Sequence, residues 1–289
     1  MSRPLTGPSW AEYARPSMEP LSPLLFIELL AVGALVGLVA GMVGIGGGIL
    51  FIPALLLLLP NDLVAADQRL LLIFGTTLAA SWLTAAASSA IHRRPFPGVG
   101  RDAVALGAAA VAGAQIGTAT AAGLSPALLE STLAVILLIT APLLLFAAEP
   151  TAEDDRSGAS ANLGALIIIG LGVGAISTTV GLGGAILTTP ILVLGLHVPS
   201  RKALALSTTM MILTAASGTL GYVIHGLSVD GLPPLSLGYV NLPIAATIAA
   251  ASIPLALLGA KLSLKTDPRI IRGLLGAALA VVAVTLLLS

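Results

Sequence analysis

Two glycine-rich segments are the parts of this sequence whose residue types and spacing could bind a ligand. They are "GIGGGILFIP" at 44–53 and "GLGGAILTTP" at 181–190, and each leads into a short apolar run, at 48–59 and 185–196. Glycine disfavours a helix interior, so both segments predict that one apolar helix breaks and another starts. The free backbone N–H groups and partial positive charge at such a helix start favour an anion.

The predicted anion site combines these glycines with hydroxyl side chains that follow each short run. Without a Cβ, a glycine lets a ligand approach the backbone closely, and a hydroxyl donates to an oxyanion without burying a charge. Two simpler roles stay open, close helix packing for the glycines and a bond to a preceding carbonyl for the hydroxyls. The predicted substrate contacts are Gly46, Gly47, Gly48, Gly183, Gly184, Ala185, Thr76, Thr77, Thr208 and Thr209.

The composition places these motifs in a membrane protein. Of the 289 residues, 57% are hydrophobic and 9% are charged, whereas soluble domains carry about 25% charged residues. We therefore predict an all-α, polytopic helical membrane protein that contacts the lipid bilayer. The zero net charge argues against nucleic acid as a partner, and the absence of cysteine excludes disulfides and thiolate metal sites. No metal or other cofactor is predicted.

Ten apolar segments predict eight to ten helices that must position the glycine turns. They cover 24–43, 48–59, 69–91, 101–123, 127–147, 163–180, 185–196, 202–225, 239–260 and 269–288. The two segments that follow the glycine turns reach about 18 Å as helices, which is too short to cross a hydrocarbon core of ~30 Å. Within the first segment, Gly33, Gly37 and Gly41 are spaced by four residues, a pattern typical of close helix packing.

The glycine segments belong to an internal duplication. Three glycines of the first segment recur in the second at a constant offset of 137: Gly44, Gly46 and Gly47 match Gly181, Gly183 and Gly184. Each half contains five segments, and the broken pair returns the chain to the same side, so the halves insert in opposite orientations. The predicted organisation is a flexible tail at 1–23, a first repeat at 24–147, a linker at 148–161 and a second repeat at 162–289.

The basic residues predict the orientation in the membrane. When the loops are assigned alternately to two sides, ten lysines and arginines fall on one side and three on the other. Basic residues accumulate on the cytoplasmic side. We therefore predict that the protein lies in the cytoplasmic (inner) membrane, with the linker at 148–161 in the cytoplasm and both termini outside.

The distribution of ionisable residues narrows the function. No acidic or basic residue lies securely in the middle of a segment, which argues against a cation carrier, and no nucleotide loop or catalytic pair points to an enzyme. His92 and His225 lie at segment ends, where an interfacial position is predicted over a proton relay. These residues predict a transporter of a small anionic substrate. Coupling to protons or sodium ions and assembly into homo-oligomers stay open.

Around the glycine turns the sequence resembles the TauE/SafE sulfite exporter family. The resemblance is carried by "GLVAGMVGIGGGILFIPAL" (37–55), by its echo "GAISTTVGLGGAILTTPIL" (174–192) and by "ALLGAKLS" (256–263). It implies a secondary transporter of sulfite or an organosulfonate such as sulfoacetate, with the glycine turns and nearby threonines forming the path. An anion channel and a carrier of carboxylate, sulfate or thiosulfate are the alternatives. Ala185 stands where the first repeat has Gly48, so the two half-sites are expected to be unequal.

Overall fold

Nine α-helices and one small hairpin form the described part of the chain. The computed structural model describes residues 22–93, 99–146 and 162–263, together with Thr266 and Gly273. The helices are α1 (Pro23–Val43), α2 (Gly48–Leu58), α3 (Ala66–His92), α4 (Val99–Gly123), α5 (Pro126–Phe146), α6 (Leu163–Thr179), α7 (Ala185–Pro190), α8 (Ser200–Gly226) and α9 (Leu242–Ser263). Strands β1 (Ser236–Leu237) and β2 (Val240–Asn241) pair antiparallel between α8 and α9.

These helices coincide with nine of the ten predicted apolar segments to within a few residues. The tenth, 269–288, lies outside the described residues except for Gly273, as do the linker at 148–161 and most of the tail. The second short segment differs in detail, because α7 ends at Pro190 and continues as a π-helical turn, Ile191–Gly195. Proline has no N–H and its ring crowds the preceding turn, which favours the wider turn.

The surface and the interior of the described helices are those of a membrane protein. Five of these helices, α1, α3, α4, α8 and α9, are long and apolar enough to cross a bilayer. Large aliphatic side chains are exposed, among them Leu57 at 78% and Ile168 at 73%, whereas many serine and threonine side chains are buried. Water-soluble proteins show the reverse preference. The predicted polytopic helical membrane fold is confirmed.

Glycine creates both predicted helix breaks, because the backbone turns through the left-handed region there. The φ angles are 73°, 71° and 93° at Gly44, Gly46 and Gly47, and 71°, 76° and 100° at Gly181, Gly183 and Gly184. Residues with a Cβ enter this region at a steric cost, whereas glycine adopts it freely. The first turn ends α1 and starts α2, and the second ends α6 and starts α7.

Small residues let the first helix of each half pack on the fourth helix of the other half. A Cβ on Gly37 would lie 2.5 Å from the Cα of Ser252, so α1 contacts α9 backbone to backbone. A Cβ on Gly174 would lie 2.5 Å from the carbonyl oxygen of Ala110, so α6 contacts α4 in the same way. The packing role predicted for the three glycines of α1 is therefore present in the structure.

The helix directions are those that two oppositely oriented repeats require. The equivalent helices α3 and α8 cross antiparallel: Gly75, early in α3, lies beside Tyr222, late in α8, whereas Ser89 is 3.2 Å from Thr209 at their other ends. In contrast, α1 runs parallel to α9, and α6 runs parallel to α4. A first helix that is parallel to the fourth helix of the other half is expected when one half is inverted.

Candidate functional site

The two glycine turns meet in the interior of the protein. A Cβ on Gly48 would lie 3.0 Å from the carbonyl oxygen of Gly181 and 3.2 Å from that of Leu182. Residues 44–49 and 181–186 are all buried, and we call them together the turn site. The structure thus brings the predicted glycines of the two halves, and Ala185, into one place.

Each turn leaves a set of backbone N–H groups without a protein acceptor. The N–H of Ile45 still bonds to the end of α1, and that of Leu50 already bonds to the start of α2. The backbone N–H groups of residues 46–49 have no hydrogen-bond acceptor among the described residues. The same is true of the N–H groups of residues 183–186. Buried N–H groups are nearly always paired, so these groups point to a polar ligand.

The electrostatic field of the turn site comes from its backbone. None of the residues at 44–49 or 181–186 has an ionisable side chain. The N-termini of α2 and α7 each contribute a partial positive charge and unpaired donors. Helix N-termini and backbone N–H groups of this kind favour a negatively charged ligand, even without a cationic side chain.

Met211 of α8 fills the space between the two turns. Its side chain is fully buried, and its methyl carbon lies against both Gly46 and Gly183. A thioether side chain is flexible and adapts to irregular spaces. The sequence offered no signal for this residue, since a methionine in an apolar helix is typical of any core. Only the antiparallel crossing of α3 and α8 brings it to the turns.

Two of the predicted threonines bond to their own helices. The hydroxyl of Thr77 donates to the carbonyl oxygen of Phe74 over 3.0 Å, and that of Thr209 donates to Ala205 over 2.7 Å. This is the simpler role that the sequence left open for such hydroxyls. The Oγ1 of Thr209 also lies 3.2 Å from the Oγ of Ser89, so it takes part in the contact between α3 and α8 as well.

The other two predicted threonines tie separate elements together. The hydroxyl of Thr208 lies 2.5 Å from the carbonyl oxygen of Leu204 on its own helix and 3.1 Å from that of Gly44 in the first turn, and its single proton serves one acceptor or is shared between the two. Thr76 accepts the backbone N–H of Asn241 over 3.0 Å and thereby joins α3 to the start of α9. Thr208 therefore lies beside the first turn, whereas Thr76 lies at the junction of α3 and α9.

Ser81 is the hydroxyl that faces the turn site without a partner. Its Oγ is fully buried and has no hydrogen-bond partner among the described residues. It lies 3.2 Å from the position that a Cβ on Gly48 would occupy. The sequence shows a hydroxyl about one helical turn beyond Thr77, but only the packed structure shows that it is unpaired.

An arginine fixes the far end of the first short helix. The Nη2 of Arg69 donates to the carbonyl oxygens of Leu56 (2.8 Å) and Leu59 (3.0 Å) at the C-terminal end of α2. A cation at a helix C-terminus pairs with unsatisfied carbonyls and with the negative end of the helix dipole. Arg69 therefore positions α2, and through it the first turn.

Side chains from α3 and α8 also hold the helix ends that precede the turns. The Nε2 of His92 lies 2.9 Å from the carbonyl oxygen of Gly41, and the hydroxyl of Tyr222 donates to that of Thr178 over 2.9 Å. The two accepting residues, Gly41 and Thr178, occupy equivalent positions in the two repeats, 137 residues apart. Packing of α3 on α1 buries the His92 side chain to 4% exposure, and the interfacial position expected for this residue stays a prediction.

Metal binding finds no support in the part of the chain that the structure describes. There, no three His, Asp or Glu side chains lie close enough together to hold a metal ion.

Two short helices that start from glycine breaks at a common buried point, inside an apolar helical bundle, are typical of membrane transporters. The family model described as sulfite exporter TauE/SafE matches residues 29–286, so the chain belongs to the TauE/SafE family. A "probable membrane transporter protein" of Methanocaldococcus jannaschii is 26% identical over 92% of this chain and 96% of its own. Another, of Haemophilus influenzae, is 27% identical over 90% and 97% of the two chains. No solved structure matches the chain.

Proposed function

We propose that this protein is a secondary transporter that binds a small sulfur-containing anion at the turn site. The observation that carries the proposal is the pair of unpaired N–H sets at residues 46–49 and 183–186. Their helix N-termini favour negative charge and start from glycine turns that a ligand can approach closely. The substrate class, sulfite or an organosulfonate such as sulfoacetate, rests on the description of the family as a sulfite exporter.

Alternating access is the mechanism that the helix arrangement supports. The two halves exchange packing partners, since α1 lies on α9 and α6 lies on α4. A movement of one half against the other would therefore open the turn site to one side at a time. Met211 lies between the turns, so entry of the anion requires this side chain to change its rotamer.

The proposed location is the cytoplasmic membrane, with both termini outside. It follows from the excess of basic residues in alternate loops. No buried carboxylate at the turn site offers a ligand for a coupling cation. Coupling to protons or sodium is tested by measuring uptake of labelled sulfite in proteoliposomes with a gradient of each ion in turn.

Counterflow in proteoliposomes tests the function. We expect vesicles preloaded with sulfite to accumulate labelled sulfite, because a carrier exchanges substrate across the membrane. The panel includes sulfoacetate, sulfate, thiosulfate and small carboxylates. Flux that neither saturates nor shows counterflow would identify a channel. Transport of cations in place of these anions would overturn the proposal.

Gly47→Val and Gly184→Val test the part played by the turns. Valine is strained at φ angles of 93° and 100°, so each variant should distort its turn and reduce transport to background. Gly172→Val is the matched control, because a Cβ there meets nothing within 4 Å. Gel filtration and thermal unfolding verify that the variants fold. Normal flux in both folded turn variants would remove the turns from the mechanism.

A further inference from the structure

The turn site also contains unpaired acceptors. The carbonyl oxygens of Gly181 and Leu182 accept no hydrogen bond from any described residue. Both carbonyl oxygens contact the first turn, because they lie 3.0 and 3.2 Å from the position that a Cβ on Gly48 would occupy. A buried carbonyl without a partner is destabilising, just as an N–H is. Free donors and free acceptors therefore lie beside each other at one buried point.

The Ser81 hydroxyl adds a further hydrogen-bond donor to the turn site. Its unpaired Oγ lies 3.2 Å from the same position beside Gly48. A hydroxyl has one proton to donate, and an anionic oxygen is a stronger acceptor than a neutral carbonyl. With a ligand present, the Ser81 hydroxyl and the N–H groups of residues 46–49 can share the oxygens of the anion.

A fully deprotonated oxyanion matches only half of these groups. Its oxygens are acceptors, so those that face the N–H groups are satisfied, whereas any that face the Gly181 and Leu182 carbonyls are repelled. An anion that also carries a hydrogen-bond donor satisfies both sides. A site that contains both donors and acceptors binds a ligand less tightly when the ligand leaves some of these groups unpaired.

On these grounds we propose that the turn site selects anions that carry a hydrogen-bond donor, with Ser81 as a substrate contact. The donor of the ligand bonds to the carbonyl oxygens of Gly181 or Leu182, and its anionic oxygens bond to Ser81 and to the N–H groups of residues 46–49. For sulfite, this favours the singly protonated anion over the dianion. The inference rests on the proposed anion site and defines the chemical class of its ligand.

Sulfamate and methanesulfonate form a matched pair for the test. Both are small monoanions of the same shape, and they differ in carrying an amino group or a methyl group on sulfur. Isothermal titration of the purified protein, and competition with labelled sulfite in counterflow, measure their affinities. We expect sulfamate to bind about tenfold or more tightly, which corresponds to one buried polar group left unpaired by methanesulfonate.

Ser81→Ala tests the assigned contact. We expect it to weaken both anions about fivefold to tenfold and to preserve their ratio, since the carbonyl oxygens that impose the ratio are unchanged. Ser88→Ala is the control on the same helix, because that buried hydroxyl bonds only to the Ala85 carbonyl, at 3.3 Å, among the described residues. Both variants are compared with the parent protein by thermal unfolding before titration.

Each outcome separates the inference from the proposed function. Equal affinity for sulfamate and methanesulfonate, with sulfite still transported, would overturn the donor requirement and leave the anion carrier intact. No binding or flux of any anion would overturn both. An unchanged affinity in folded Ser81→Ala would remove Ser81 from the site. The ratio measured in the parent protein decides the donor requirement even if the variant does not fold.

Discussion

A single Cβ distinguishes the two halves of the turn site at the residue scale. Gly48 begins α2 and Ala185 begins α7, at equivalent positions of the two turns. The space that a side chain at Gly48 would occupy is bounded by two carbonyl oxygens and the Ser81 hydroxyl. The first turn therefore lacks the methyl group that Ala185 adds to the second turn, and a methyl group at Gly48 would press on these three oxygens.

Gly48→Ala is expected to lower sulfite affinity about tenfold or more. Gly48 is a glycine with no positive φ, so alanine is tolerated by the backbone. The new methyl group would lie 3.0 to 3.2 Å from the two carbonyl oxygens and the Ser81 Oγ, the groups assigned to the ligand, and would force them to shift slightly. Titration calorimetry measures the affinity, and Gly172→Ala, in open space, is the control. Unchanged affinity would place the ligand elsewhere.

At the element scale, Arg69 connects the short helix α2 to the long helix α3. Its guanidinium bonds to two carbonyl oxygens at the end of α2, so the helix is held at the end opposite the turn site. A short helix with one free end gains more from such a contact than a long helix packed along its length. The position of the first turn therefore depends on a residue distant from it.

Arg69→Ala is expected to lower the free energy of unfolding by about 2 kcal/mol, because it removes two hydrogen bonds from a charged donor. Transport should fall as well, since α2 is released. Arg69→Lys keeps the charge but loses the planar fork, so we expect an intermediate effect. Arg201 occupies the equivalent place in the second half and is exposed, so Arg201→Ala is the control. Equal stability of the Arg69 and Arg201 variants would contradict this account.

The sequence predicted the helices and their breaks because local rules govern both. The glycines of each turn adopt positive φ angles, and glycines spaced by four in α1 lie against α9, as expected. The sequence did not predict the position of Met211 between the turns or the unpaired hydroxyl of Ser81, because both depend on how α3 and α8 cross. Burial of His92 was missed for the same reason, since its partner carbonyl lies on α1. Which side chains contact the anion stays a prediction.

At the scale of the whole molecule, the predicted opposite orientation of the two halves has a simple test. The loops after α2 and after α7 should lie on opposite sides of the membrane, the first outside and the second in the cytoplasm. The chain has no cysteine, so single cysteines at exposed positions report the side without background. An impermeant maleimide should label Asp62→Cys in intact cells and His197→Cys only after permeabilisation. Labelling of both in intact cells would contradict the inverted arrangement.

The exchange of packing partners between halves sets a condition on how the chain is made. The first membrane helix, α1, leaves the ribosome early, whereas its partner α9 is synthesised last among the described helices. The polar backbone of the first turn likewise lacks its covering until the second turn and α8 have been made. Such late, long-range contacts slow folding. We therefore expect neither half to fold on its own, and native packing to form only after α9 has been translated.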